Sequence, residues 1–134
     1  MQLFSVLIPP DLAEVDAIAP RLTAQVEPLL SEDRLPAFEI AVVEALTNVI
    51  RHGGLRPDQT VGVALHQTQG GIEATITDEG RAPPDDLFTK PLPEDDGDPM
   101  AESGRGIGLI LMCADRVTAT REDGCNRLVL RFEG

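Results

Sequence analysis

The chain has 134 residues, with 23 acidic against 11 basic side chains and a formal net charge of −12, a length that fits one domain of the common size of roughly 100–150 residues. Hydrophobic residues make up 42% and charged residues 25%, so a real core is expected and neither a disordered acidic tail nor a membrane protein fits, since no apolar run approaches the ~20 residues of a spanning helix. The acidic field repels a phosphate backbone, which argues against direct nucleic-acid binding and leaves room for a basic protein partner.

Phe4-Ser5-Val6-Leu7-Ile8 is β-prone and stops at Pro9-Pro10. Asp11, three residues before Glu14, marks a capping-box-like start. Leu12, Val15, Ala19, Leu22, Val26 and Leu29 then follow at helical spacing. Pro20 and Pro28 predict a helix that kinks or ends before Pro28. A second helix is expected from near Pro36 through Phe38, Val42, Ala45 and Val49 to Gly53-Gly54. Alternation at Val61, Val63 and Leu65 and at Ile72, Ala74 and Ile76, around the turn signal Gln69-Gly70-Gly71, predicts a hairpin.

From Arg81 to Ser103 five prolines and scattered acids exclude a regular element, and a loop this long inside a compact domain reads as a functional lid or a disordered stretch. Ile107 to Ala114 suits a helix, Val117 to Thr120 a short strand, and alternation through Leu128, Leu130 and Phe132 a last strand. The order β-α-α-β-β-lid-α-β-β is too irregular for a doubly wound parallel sheet. It predicts an α+β fold: a two-layer sandwich with a mixed, mostly antiparallel sheet and helices on one face. Cys113 and Cys125 form no disulfide framework and fit a reducing, cytoplasmic setting. The start, Met1-Gln2-Leu3-Phe4-Ser5, lacks the features of a signal peptide.

Three clusters carry chemistry. Glu44, Asn48 and His52 are spaced i, i+4, i+8 and form a polar stripe on one helical face. A carboxylate and an amide so placed can ligate a hard cation or orient a hydroxyl. Equally, Glu44 and Asn48 suit a solvated face, and His52 suits a partner for the helix C-terminal dipole. Asp78-Glu79-Gly80, just after an apolar strand, can present a carboxylate into a cleft or simply make a turn. Ser103-Gly104-Arg105-Gly106-Ile107-Gly108 runs straight into a helix, where close backbone approach, free N–H groups and the Arg105 charge suit phosphates. It is neither a Walker A loop nor a Rossmann fingerprint.

In this order the clusters resemble the nucleotide-binding boxes of the Bergerat-type, histidine-kinase-like ATPase (GHKL) superfamily. Glu44-x-x-x-Asn48-x-x-x-His52 is similar to its N-box, Asp78-Glu79-Gly80 to its first glycine box, and Gly104-Arg105-Gly106-Ile107-Gly108 to its second. Within that superfamily, residues 44–53 (Glu-Ala-Leu-Thr-Asn-Val-Ile-Arg-His-Gly) and 102–109 (Glu-Ser-Gly-Arg-Gly-Ile-Gly-Leu) resemble the bacterial anti-sigma factor serine/threonine kinases of the partner-switching type. The likeness covers the chain end to end and implies a single domain over 1–134 with an ATP lid around 81–106.

The resemblance implies ATP and Mg²⁺ as cofactors. Asn48 is the expected Mg²⁺ ligand and Glu44 the base towards a serine hydroxyl. Asp78 is expected to accept from the adenine amino group, with Gly80 letting the base approach. Gly104, Arg105, Gly106 and Gly108 are expected to wrap the phosphates, within a binding stretch that includes Ile107 and Leu109. His52 matches the box without a chemical step. The implied partners are a sigma factor, an anti-anti-sigma factor as protein substrate and a second copy of the chain, with no membrane and no direct nucleic acid.

Two positions depart from the pattern: Ala82 stands where a second glycine is usual, and Gly124-Cys125-Asn126 stands where Gly-Gly-Thr is frequent. Asn126 can still donate a hydrogen bond in the threonine's place. Two rival readings are an ATP-binding module that sequesters a partner without kinase activity and a detached histidine-kinase catalytic domain. The first leaves Glu44 without a task. The second lacks a preceding helical hairpin with a phospho-accepting histidine.

Overall fold

The computed structural model describes residues 1–84, 87, 88 and 102–134, with 102–105 described as helical backbone only. The elements are β1 (Gln2–Ile8), α1 (Leu12–Val26), α2 (Leu35–His52), β2 (Val61–Thr68), β3 (Gly71–Asp78), α3 (Glu102–Cys113), β4 (Arg116–Glu122) and β5 (Cys125–Glu133). The five strands form one sheet in the order β1-β2-β3-β5-β4. Every adjacent pair is antiparallel. The expected mixed sheet is therefore antiparallel throughout. The connection through α3 skips one position, so β4 lands at the edge beside β5 rather than parallel beside β3.

Asp11 caps α1, its carboxylate accepting from the Ala13 N–H at 3.0 Å, but the expected box with Glu14 is not closed: the Asp11 N–H donates to the Pro9 carbonyl at 2.8 Å instead. The helix passes through Pro20 and ends at Val26. Pro20 is tolerated because it and Asp16, whose carbonyl it leaves without an N–H, both lie on the exposed side. Val15, Ile18, Ala19, Leu22 and Val26 are buried, while Leu12 stays on the surface. In α2, Pro36 occupies the first turn and Gly53 caps the end, with its N–H on the Val49 carbonyl at 2.8 Å. The left-handed residue that turns the chain away is Gly54, at φ 64°.

The β2–β3 hairpin turns at Gln69-Gly70, with Thr68 opposite Gly71. The β4–β5 hairpin turns at Asp123-Gly124, both with positive φ (53° and 77°), the pair a twisted two-residue turn favours. Both last strands run longer than the sequence pattern suggests. β4 is an edge strand almost wholly exposed, so no apolar alternation marks its ends.

The three helices of the described residues lie on one sheet face. Ile8 of β1, Val61, Val63 and Leu65 of β2, Ile72, Ala74 and Ile76 of β3, and Leu128, Leu130 and Phe132 of β5 form a single core with the helices. Phe38 of α2 and Phe132 of β5 meet edge to face, with centroids 5.2 Å apart at 67°. Arg34, at the start of α2, donates to the Cys113 carbonyl (3.1 Å) and to Asp115 (2.8 Å), which fixes the C-terminal end of α3 beside the N-terminal end of α2.

Candidate functional site

Asp78 is the last residue of β3. Ile72, Ala74 and Ile76 alternate onto the helix-covered face, and the same period carries Asp78 there too. It is 6% exposed. A buried carboxylate needs donors. Oδ1 accepts from the Gly80 N–H at 2.8 Å and from Asn126 Nδ2 at 3.1 Å. Asn126 lies directly opposite Asp78 in the β3–β5 ladder. Asn126 thus makes the hydrogen bond that its side chain allows at this position. Among the described residues no donor is recorded on Oδ2, which leaves that oxygen to accept from a ligand.

Gly80 follows with the backbone packed against the end of α2. A Cβ there would sit 2.5 Å from the Gly53 carbonyl oxygen and 2.9 Å from Asp78 Oδ1. The Arg81 N–H donates to the same Gly53 carbonyl at 2.8 Å. The glycine is therefore required by the corner between β3 and α2 before any base arrives. Arg121 of β4, which the sequence pattern did not single out, donates through NH1 to the Gly80 carbonyl (3.0 Å) and to Asn126 Oδ1 (2.7 Å). The period-two register could have placed Asn126 on this face, two residues before Leu128. Arg121 carries no such signal, because its strand is polar on both faces.

On α2, Glu44 and Asn48 are half-buried and one turn apart, beside the buried Ala41, Val42, Ala45 and Leu46. His52 is exposed at the helix end. Glu44 also borders a shallow depression lined by Pro36, Glu39, Ile40 and Val43. Its carboxylate meets the second glycine run directly: Glu44 Oε2 lies 3.0 Å from where a side chain at Gly106 would begin.

One expectation is corrected. The glycine run does not precede the helix but lies inside α3, which starts at Glu102. Only the first four N–H groups of a helix are free. Gly104 and Arg105 are in that first turn, whereas Gly106 and Gly108 have passed beyond it. Ile107 is core and 5% exposed, Gly108 is buried, and Leu109 faces outward at 36%. The packing of Ile107, Ile110 and Ala114 into the core outweighs the helix cost of the glycines, about 1 kcal/mol each. The Arg105 side chain and most of the expected lid (85, 86 and 89–101) lie outside the described residues.

The three clusters thus meet around α2, the β3 corner at its C-terminal end and α3 at Glu44. From Glu44 to Gly53 the helix rises about 14 Å, a span along which a nucleoside triphosphate can lie. The donor set suits Mg²⁺ held mainly by phosphates. Asn48 offers one hard oxygen a turn from Glu44, and among the described residues no group of three or more His, Cys, Asp and Glu side chains is placed to hold a metal ion. Nor is any described helix long and apolar enough to cross a membrane.

The chain is 31% identical over 108 residues to the serine-protein kinase RsbW of Halalkalibacterium halodurans, covering 75% of this chain and 64% of the relative; it therefore spans a little less than two thirds of that protein. The solved RsbU and RsbW domains of a Mycobacterium tuberculosis protein superpose with a TM-score of 0.69 at 12% identity, covering 97% of this chain and 32% of that one. The Acinetobacter baumannii histidine kinase AdeS superposes at 0.53 with 14% identity, covering 99% and 68%. These two likenesses show a shared fold. A family model described as the histidine kinase-like ATPase domain matches residues 8–132. With that match over nearly its whole length, the chain belongs to the histidine kinase-like ATPase domain family.

Proposed function

We propose that this protein is an anti-sigma factor and an ATP-dependent serine kinase of the partner-switching type, in which residues 1–134 act as one ATP-binding domain with a lid around 81–106. In one state it holds a sigma factor; in the other it transfers the γ-phosphoryl group of ATP to a serine of an anti-anti-sigma factor. It works in the cytoplasm as a homodimer. The observation that carries the reading is the Glu44 carboxylate facing the Gly106 backbone, a base beside the phosphate-binding stretch. The 31% identity to a serine-protein kinase supports it.

Each residue then has a task. Asp78 Oδ2 accepts a hydrogen bond from the adenine amino group. Asn48 would hold Mg²⁺ through its amide oxygen, and the ion when bound would supply positive charge to the phosphates. The first turn of α3, with Gly104 and Arg105, receives the terminal phosphates, and Gly106 to Leu109 continue that wall. Glu44 takes the proton of the attacking serine hydroxyl. His52 lines the same helix face.

The test is transfer of labelled phosphate from Mg-ATP to an anti-anti-sigma protein. Acid-stable phosphoserine is expected, and acid-labile phosphohistidine would overturn the assignment. Glu44→Gln is expected to keep ATP binding and to lower transfer by roughly 10²–10⁴-fold. Near-normal transfer by that variant would remove Glu44 as the base.

A further inference from the structure

We infer that Arg121 is a positioning residue for nucleotide recognition, acting through Asn126 on the Asp78 carboxylate. The inference rests on the nucleotide reading above and assigns a role to a residue on the outermost strand that acts through its protein neighbours.

The hydrogen bonds form a closed ring. Asp78 Oδ1 accepts from the Gly80 N–H (2.8 Å) and from Asn126 Nδ2 (3.1 Å). Arg121 NH1 donates to the Gly80 carbonyl (3.0 Å) and to Asn126 Oδ1 (2.7 Å). The second Asn126 Nδ2 proton goes to the Arg81 carbonyl at 2.9 Å. A guanidinium is donor-only and a carboxylate acceptor-only, so the asparagine can lie between them in one orientation, oxygen towards Arg121 and amide towards Asp78.

The clamp is needed because of the residue type at 126. An asparagine side chain has a broad terminal torsion. The Arg81 carbonyl holds one of its amide protons, and a bond at the oxygen end fixes the amide plane that aims the other at Asp78. A charge-assisted bond at the oxygen holds it and polarises the amide, strengthening the bond to the carboxylate. A β-branched hydroxyl donor at this position has a stiff first torsion and no far end to fix. With Oδ1 saturated by two protein donors, Asp78 has Oδ2 to offer, an acceptor that favours a ring amino group and repels a ring carbonyl. Arg121 thus bears on the preference for adenine over guanine.

Calorimetric titration with ADP and GDP tests this in four chains: wild type, Arg121→Met, Asn126→Thr and the double variant, with Arg121→Lys as a control that keeps the charge. Thermal melts without nucleotide verify that each chain folds. Arg121→Met is expected to weaken ADP binding about ten-fold and to narrow the ADP-over-GDP preference, with Arg121→Lys recovering part of both. In the Asn126→Thr background the same Arg121→Met change is expected to alter ADP affinity less than two-fold, the non-additivity of residues acting as a unit. An equal loss in both backgrounds overturns the inference, since Arg121 would then act only through the Gly80 carbonyl. Unchanged ADP binding by Arg121→Met also overturns it. A wild-type chain that binds no ADP overturns the nucleotide reading itself, a result distinct from either.

Discussion

Asp78 is a charged group 6% exposed at the end of a central strand, and its surroundings explain why the neighbouring residues are what they are. Two N–H donors reach one oxygen, one from the Gly80 backbone and one from Asn126. Gly80 cannot carry a side chain without meeting the Gly53 carbonyl. The same corner joins the Asp78 carboxylate to the helix that bears Glu44 and Asn48. At this scale the sharpest prediction concerns Asn48. Asn48→Ala removes the amide oxygen that α2 places a turn from Glu44, so Mg²⁺-dependent nucleotide binding is expected to be lost. Titration with ADP, with and without Mg²⁺, checks it, and an unchanged Mg²⁺ dependence would remove Asn48 as the ligand.

α3 shows the same economy in an element. Its glycines are poor helix formers, each less favourable than alanine by about 1 kcal/mol, yet the helix runs through them because Ile107 and Ile110 are buried behind it. A Cβ at Gly106 would lie 3.0 Å from Glu44 Oε2, close enough that the carboxylate would have to give by a few tenths of an ångström. Gly106→Ala therefore sets two effects against each other. Helix propensity raises thermal stability by up to ~1 kcal/mol, while the new methyl group presses on the Glu44 carboxylate and shifts it slightly. The expected outcome is a melting temperature equal to or above wild type together with a measurable loss of phosphoryl transfer. A variant that transfers phosphate at the wild-type rate would show that the contact has no catalytic consequence.

For the whole molecule, a net charge of −12 sets a problem that local structure answers. Many phosphates cannot be neutralised on such a surface, but under the proposed function one triphosphate would be met locally by a bound cation and the start of α3. A ligand that binds only the folded chain stabilises it by mass action, about 2.7 kcal/mol at a hundred times its Kd. Saturating Mg-ATP is expected to raise the melting temperature by several degrees, and no shift at millimolar nucleotide would count against the site as a whole.

How much could be read from the chain alone follows from the range of the forces involved. Helices α1 and α2, the β2–β3 hairpin and the last strand were legible because apolar periodicity and glycine or proline punctuation are local signals. The positions of Glu44, Asp78 and the glycine run were legible because the three clusters resemble a known pattern. The long-range arrangement was not. That β3 pairs with β5 and leaves β4 on the edge, that the sheet is antiparallel throughout, and that α3 begins before its glycines depend on which surfaces bury each other. The ring through Arg121, Asn126, Gly80 and Asp78 spans more than 40 positions of sequence. Only strand register brings it together, because an exposed arginine on a polar edge strand carries no mark of its partner until the sheet has formed.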